Sequence, residues 1–318
     1  MPQNFIVVIR SSGERTLDLC QKLVRDQAGD AKMFVVEEKP FKKTFETSLK
    51  LGIQNGAEWL ITVDADMLIV KGAIDKLRSE AEKMPDNYLQ LQGQIYDKIT
   101  GTIRKAGPRI YRGEYLEKLL KISEESEDTI RPESASIKKM ADAGHPSRYI
   151  IKVICYHDFL QYYRDLYRKA YVHSVKHREL VPIILENCLQ DIETDKDQEV
   201  ILKAVIAGLN ENREVAIDTR LFSENAEKFL AQMNLYEKPS LGTSGDEIKE
   251  VELKYHQYLN QLNEYYLTSY FDDKTNGKVM HVSLRDKIKD DGILNVVFGI
   301  SGNLLKRTGN YLHNKIKR

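Results

Sequence analysis

The residues with the clearest chemical potential are Asp64-Ala65-Asp66, two carboxylates one alanine apart at the end of the run Trp59-Leu60-Ile61-Thr62-Val63. Carboxylate oxygens are hard ligands, suited to Mg2+ or Mn2+. Such ions are usually held by a few carboxylates together with the phosphates of a bound nucleotide. The competing reading is a plain turn, because aspartate is common in turns. Context favours the ligand reading. The preceding run is β-branched and aromatic, as in a strand buried on both faces, and ligands of open α/β sheets sit just beyond the carboxyl ends of strands. A second chemistry-bearing pair, His157-Asp158, follows another apolar run at residues 149–156. His173 and His177 stand four apart on a predicted helix, but no glutamate completes a His-Glu-x-x-His pattern. They read as helix-end histidines favoured by the helix dipole.

The elements that must position these groups alternate along the first half of the chain. Residues 5–9 read as an apolar strand, residues 14–26 as a helix, 33–36 as a second, buried strand and 44–54 as a helix stopping at Asn55-Gly56. The strand before Asp64 comes next, then a helix over 72–83. This alternation predicts a mostly parallel, doubly covered sheet. Residues 88–96 alternate like a half-buried strand, and the acidic, serine-rich 123–136 predicts a mobile surface loop. A patterned helix is expected over 159–177. Beyond Pro182 the pattern is helical, giving two regions, 1–180 and 181–318. Residues 246–270 carry apolar positions three and four apart, a seam for packing within the chain or across a homodimer. Residues 292–318 hold five basic residues and no acidic one, beside an apolar stretch, which suits either an anionic membrane surface or a core-packing helix.

Composition bounds the reading. The 318 residues are 42% hydrophobic, and 48 basic residues balance 48 acidic ones, so no charge excess advertises nucleic acid. Cys20, Cys155 and Cys188 are widely spaced in apolar segments, as buried reduced thiols of a cytoplasmic protein would be. No signal peptide or bilayer-length apolar run is apparent. No Gly-x-Gly-x-x-Gly or P-loop motif occurs, so a bound diphosphate is expected to need a metal.

On Phe5–Arg10, Val35-Val36-Glu37-Glu38, Leu60-Ile61-Thr62-Val63-Asp64-Ala65-Asp66 and His157, the N-terminal half resembles the GT-A fold of nucleotide-sugar-dependent glycosyltransferases, broadly of family 2. The resemblance covers about residues 1–178. It implies an α/β, GT-A-like domain that binds a nucleoside-diphosphate sugar through Arg10, Glu37, Glu38, Asp64, Ala65 and Asp66. It also implies a divalent metal, Mn2+ or Mg2+, on Asp64, Asp66 and His157, and a glycan or lipid-linked acceptor. Where the family usually carries Asp-Asp-Gly-Ser, this chain has Glu37-Glu38-Lys39-Pro40, which leaves the nucleotide open. Asp158, beside His157, is the first candidate for the base that deprotonates an acceptor, and Asp142 the second. Two alternatives compete. One is an HD-type metal phosphohydrolase built on His145 and His157-Asp158. The other is a non-catalytic scaffold that binds sugar nucleotides.

Overall fold

The computed structural model describes residues 4–126, 131–211, 219–244 and 246–261. Contacts divide the chain into a unit Met1–Gln257 and a unit Tyr258–Arg318, and the second lies almost wholly outside the described residues. The basic tail at 292–318 and the seam beyond Gln261 therefore lie outside them too.

The first unit opens with β1 (Phe5–Arg10), α1 (Leu17–Ala28), β2 (Lys32–Val36), α2 (Phe41–Gln54) and β3 (Trp59–Asp64). Next come β4 (Met67–Ile69), α3 (Ala73–Ala81), β5 (Gln90–Asp97), β6 (Ile103–Arg104) and β7 (Arg109–Arg112). Two helices, α4 (Leu116–Glu124) and α5 (Pro132–Asp142), precede β8 (Ser147–His157). The remainder is helical: α6 (Tyr163–Lys176), α7 (Val181–Asp191), α8 (Lys196–Leu209), α9 (Thr219–Gln232) and α10 (Asp246–Gln261).

The sheet order is β2-β1-β3-β7-β5-β8-β4, with β6 against β5. Strands β2, β1, β3, β5 and β8 share one direction, while β7, β4 and β6 oppose them. The architecture is thus the α/β one expected from the sequence, with a sheet whose strands mostly share one direction and which is covered on both faces. On one face Cys20, Val24, Ile74 and Leu77 of α1 and α3 meet Val7, Ile61 and Val63. On the other, Phe45, Leu49, Leu116 and Leu119 of α2 and α4 meet Ile6, Val8 and Leu60. A third core joins the later helices through Leu166, Ala170, Ile184, Ile201 and Val205. There α6 and α8 cross in close contact. A Cβ on Gly208 would fall 2.0 Å from Ser174 Oγ and 2.7 Å from the Tyr171 carbonyl oxygen. Helix α2 ends where the sequence places it, with Gly56 at φ +57°.

Three expectations need correction. Strand β5 is buried along its whole length, and two of its glutamines donate to partners within the fold. Gln90 Nε2 donates to Ser147 Oγ at 3.0 Å, and Gln92 Nε2 to the Gly107 carbonyl at 3.2 Å. A polar side chain in a strand therefore need not mark a wet face. The described part of the supposed loop at 123–136 runs into α5, which starts at Pro132 and buries Glu133 and Ser136. Finally, α6 begins at Tyr163 rather than 159. Asp158 and Leu160 adopt φ of 63° and 62°, a conformation no right-handed helix accommodates.

Candidate active site

Two rows of strand ends meet at one rim of the sheet. Val36, Arg10 and Asp64 are in register at the carboxyl ends of β2, β1 and β3. Met67, His157 and Asp97 are in register across β4, β8 and β5. Ala65 and Asp66 bridge the rows. The turn is tied down by its backbone and by two side chains. Ala65 N donates to the Arg10 carbonyl at 2.8 Å, and Asp158 N to the Asp66 carbonyl at 3.2 Å. Gln161 Nε2 donates to Thr16 Oγ1 at 2.7 Å, and Thr16 donates in turn to the Ala65 carbonyl at 2.6 Å. Arg15 pins the turn after β8 by donating to the Leu160 carbonyl at 2.8 Å.

The turn at Ala65-Asp66 interrupts the strand, in which residues two apart share a face, and sends the two aspartates into different surroundings. Asp64 accepts from Arg10 Nε at 2.6 Å and keeps 29% of its side chain exposed. Arg10 is buried and also donates to Glu133 Oε1 at 2.7 Å. Arg109 pairs with the other oxygen of Glu133, and Tyr111 Oη donates to Glu133 Oε1 at 2.7 Å. Burial alone would raise the pKa of Glu133, but Arg10, Arg109 and Tyr111 overcome it and bring the carboxyl down to about 2.

Asp66 faces the other row. Its Oδ2 lies 3.6 Å from His157 Nε2 and pairs with the Lys169 ammonium, which also pairs with Asp158 Oδ1. His157 Nδ1 is 2.9 Å from Asp97 Oδ2 and 3.2 Å from Asp158 Oδ2, and the hydrogen bond goes to Asp97. A carboxylate can only accept here, which puts the ring proton on Nδ1 when the imidazole is neutral and leaves the Nε2 lone pair facing Asp66. Asp97 is itself fixed by Arg104 and by the Thr100 N–H at 2.9 Å. Burial works against charge on His157, yet Asp158, Asp66 and Asp97 together raise its pKa. Burial likewise disfavours the Asp66 anion, but Lys169 and His157 outweigh it and lower its pKa.

These residues fit a divalent cation. One ligand atom from each of Asp66, His157 and Asp158 lies within 4.8 Å of the others. Two carboxylate oxygens, Asp66 Oδ1 and Asp158 Oδ2, are buried without a hydrogen-bond partner. Two carboxylates and an imidazole form a donor set that first-row divalent ions accept, and Asp97 orients the imidazole as outer partners of ligating histidines do.

The expected residues thus separate. Asp66 and His157 come together as anticipated, joined by Asp158, while the Asp64 carboxylate is engaged by Arg10. Asp158 is fully buried, and Asp142 is exposed at the end of α5. Glu38 accepts from Thr47 Oγ1 at 2.5 Å, and Glu37 stands exposed beyond β2. His145 and His157 flank opposite ends of β8, an 11-residue strand that spans roughly 33 Å at ~3.3 Å per residue. The histidine-aspartate centre of an HD phosphohydrolase is therefore not assembled. His173 is pushed down to about 4 by burial and by Arg104, and its ring centroid lies 5.7 Å from that of His177. Sequence reasoning missed Glu133, Arg109, Asp97 and Lys169. Only Glu133 carried a local signal: a proline at the first helical position followed by an acidic residue marks a helix start.

No family model and no curated protein sequence matches this chain. Among solved structures, a glycosyltransferase involved in glycosylation of the major capsid of PBCV-1 is similar over 48% of this chain and 93% of its own, at 14% identity and TM-score 0.36. A mannosyltransferase from Pyrobaculum calidifontis, solved with GDP-Man and Mn2+, covers 83% of this chain and 82% of its own, at 12% identity and TM-score 0.36. The 4-diphosphocytidyl-2C-methyl-D-erythritol synthase of Anaerococcus prevotii matches 49% of this chain and 90% of its own, at 12% identity and TM-score 0.37. At such low scores the functional reading rests on the geometry of the site itself.

Proposed function

We propose that this protein is a metal-dependent glycosyltransferase that moves a sugar from a nucleoside-diphosphate sugar to an acceptor hydroxyl. The observation that carries the reading is the convergence of Asp66, His157 and Asp158 at the carboxyl rim of the sheet, with two orphaned buried oxygens. Asp66, His157 and Asp158 would hold Mn2+ or Mg2+, which when bound supplies positive charge to the leaving diphosphate. Asp97 keeps the His157 Nε2 lone pair available by accepting the Nδ1 proton. Burial raises the Asp64 pKa against the pull of Arg10, and its part-exposed carboxyl is placed to hydrogen-bond donor hydroxyls. Glu37, exposed beyond β2, is in a position to contact the ribose or base. Asp158 is assigned to ligation over proton abstraction, because a fully buried carboxylate paired with Lys169 offers no face to an acceptor.

Residues 1–180 are proposed as the donor-handling region and 181–318 as a helical accessory. In this reading the basic 292–318 segment brings the site to an anionic membrane bearing a lipid-linked acceptor. Among the described residues no helix is long and apolar enough to cross a membrane. The deciding experiment incubates the full chain with a panel of sugar nucleotides and scores Mn2+-dependent release of nucleoside diphosphate. A parallel arm with nucleoside triphosphates and sugar phosphates scores pyrophosphate. Diphosphate release abolished by chelation supports glycosyl transfer; pyrophosphate alone replaces it with nucleotidyl transfer; neither product sinks the enzymatic reading.

A further inference from the structure

Lys169 is a charged group at the rim to which donor chemistry gives no task. It projects from α6, and its ammonium pairs with one oxygen of Asp66 and one of Asp158, two of the three members of the ligand cluster. The remaining oxygens of the same two carboxylates are the buried ones without a hydrogen bond. We propose that Lys169 is a tethered counter-ion filling the cation position of the Asp66–His157–Asp158 cluster, and that a divalent ion enters by displacing its ammonium. This inference rests on the metal reading of that cluster.

Three observations support it. The first is position. Ligand atoms within 4.8 Å of one another enclose little more than one cation, and an ammonium bonded to both carboxylates takes that volume. The second is charge. His157 is shared among Asp97, Asp66 and Asp158, so among the described residues Lys169 is the permanent cation that contacts both Asp66 and Asp158. One ammonium leaves an excess negative charge, whereas one divalent ion would neutralise both carboxylates. Two cations at contact distance in so buried a site repel strongly, so ammonium and metal exclude one another. The third is freedom to leave. The Lys169 side chain is 15% exposed and its four-carbon stem is flexible, so the head can swing outward without unfolding α6. The lysine thus keeps two mutually repelling carboxylates together before metal arrives, and it weakens metal binding by competing for them.

The test uses Mn2+ alone, titrated by calorimetry into the full-length wild-type protein and into Lys169→Met and Lys169→Arg. Removing the competing charge should tighten Mn2+ binding by roughly tenfold or more in Lys169→Met. Lys169→Arg, which keeps the charge, should bind no more tightly than wild type. A second readout needs no variant. Acylation of Lys169 by an amine-reactive ester, followed by mass spectrometry, should rise when Mn2+ is added to wild type, because the ammonium has been freed. That measurement decides alone if Lys169→Met does not fold. Equal Mn2+ affinity in wild type and Lys169→Met, or protection of Lys169 by Mn2+, overturns the inference and leaves the metal site standing. Failure of both proteins to bind Mn2+ overturns the inference and the metal site together.

Discussion

The two aspartates that flank Ala65 occupy opposite electrostatic regimes less than one strand apart. Around Asp64 every buried charge has a partner of the opposite sign, and Glu133 alone accepts from two arginines and a tyrosine. Around Asp66 the balance is incomplete. Two carboxylate oxygens lack hydrogen bonds, and one lysine serves two acids. In the Asp64 half the charges are paired and Arg109 Nε is left without a hydrogen bond, whereas in the Asp66 half two anionic oxygens are left, the kind of buried acceptor that a cation completes. The difference suggests that the Asp64 half builds the platform and the Asp66 half does the binding.

That contrast can be broken by exchanging what each half is asked to do. Glu133→Ala should produce the largest effect, destabilising the fold by about 3–5 kcal/mol, because it leaves the buried Arg109 guanidinium without its acidic partner and removes one of the two acids that pair with Arg10. Urea denaturation measures it, and Mn2+ affinity should change little in the folded fraction. A loss confined to metal binding would reverse the roles of the two halves.

Protonation tests the same residue without a change in shape. The folded pKa of Glu133 lies near about 2 and its ordinary value is 4.5. A depressed carboxyl contributes stability that is fully present above the unfolded value and is lost as pH falls from 4.5 through about 2. The contribution is roughly 3 kcal/mol. Wild type and Glu133→Gln should therefore converge in stability across that window, and parallel curves would deny the shift.

Metal binding separates the aspartates directly. Asp66→Asn should weaken Mn2+ affinity by roughly 100-fold, about 2.7 kcal/mol, with the fold retained. Asp64→Asn should cost only a few-fold, since Arg10 already engages that carboxylate. Similar losses from both would return Asp64 to the ligand set. The smallest effect is expected at Asp97→Asn, where the imidazole loses its anionic anchor. About tenfold weaker Mn2+ binding is expected, read by the same titration. No change there would mean that Asp97 merely answers Arg104.

Much of the platform was legible in the sequence because it depends on local pattern. The apolar runs of β1 and β3 and the helix stop at Asn55-Gly56 carry their signals within a few residues. The rim was legible in part. Asp66 and His157 could be nominated because each follows an apolar strand. Glu133 was hidden inside a segment whose serines and acids resemble a solvated loop. Lys169 was hidden on a helix beside a buried stripe of Leu166 and Ala170, where a lysine ordinarily runs its stem to water.

The sequence alone therefore determined the alternating elements, the two-sided burial of the central strands and the presence of carboxylates at a strand end. These follow from periodicity and from the short range of backbone hydrogen bonding. Tertiary structure decided which carboxylate faces which partner. That choice rests on pairings 54 residues apart for Arg10 with Asp64, 123 for Arg10 with Glu133 and 103 for Lys169 with Asp66. Electrostatic complementarity acts through space between groups that only the folded chain brings together, and no local pattern encodes it.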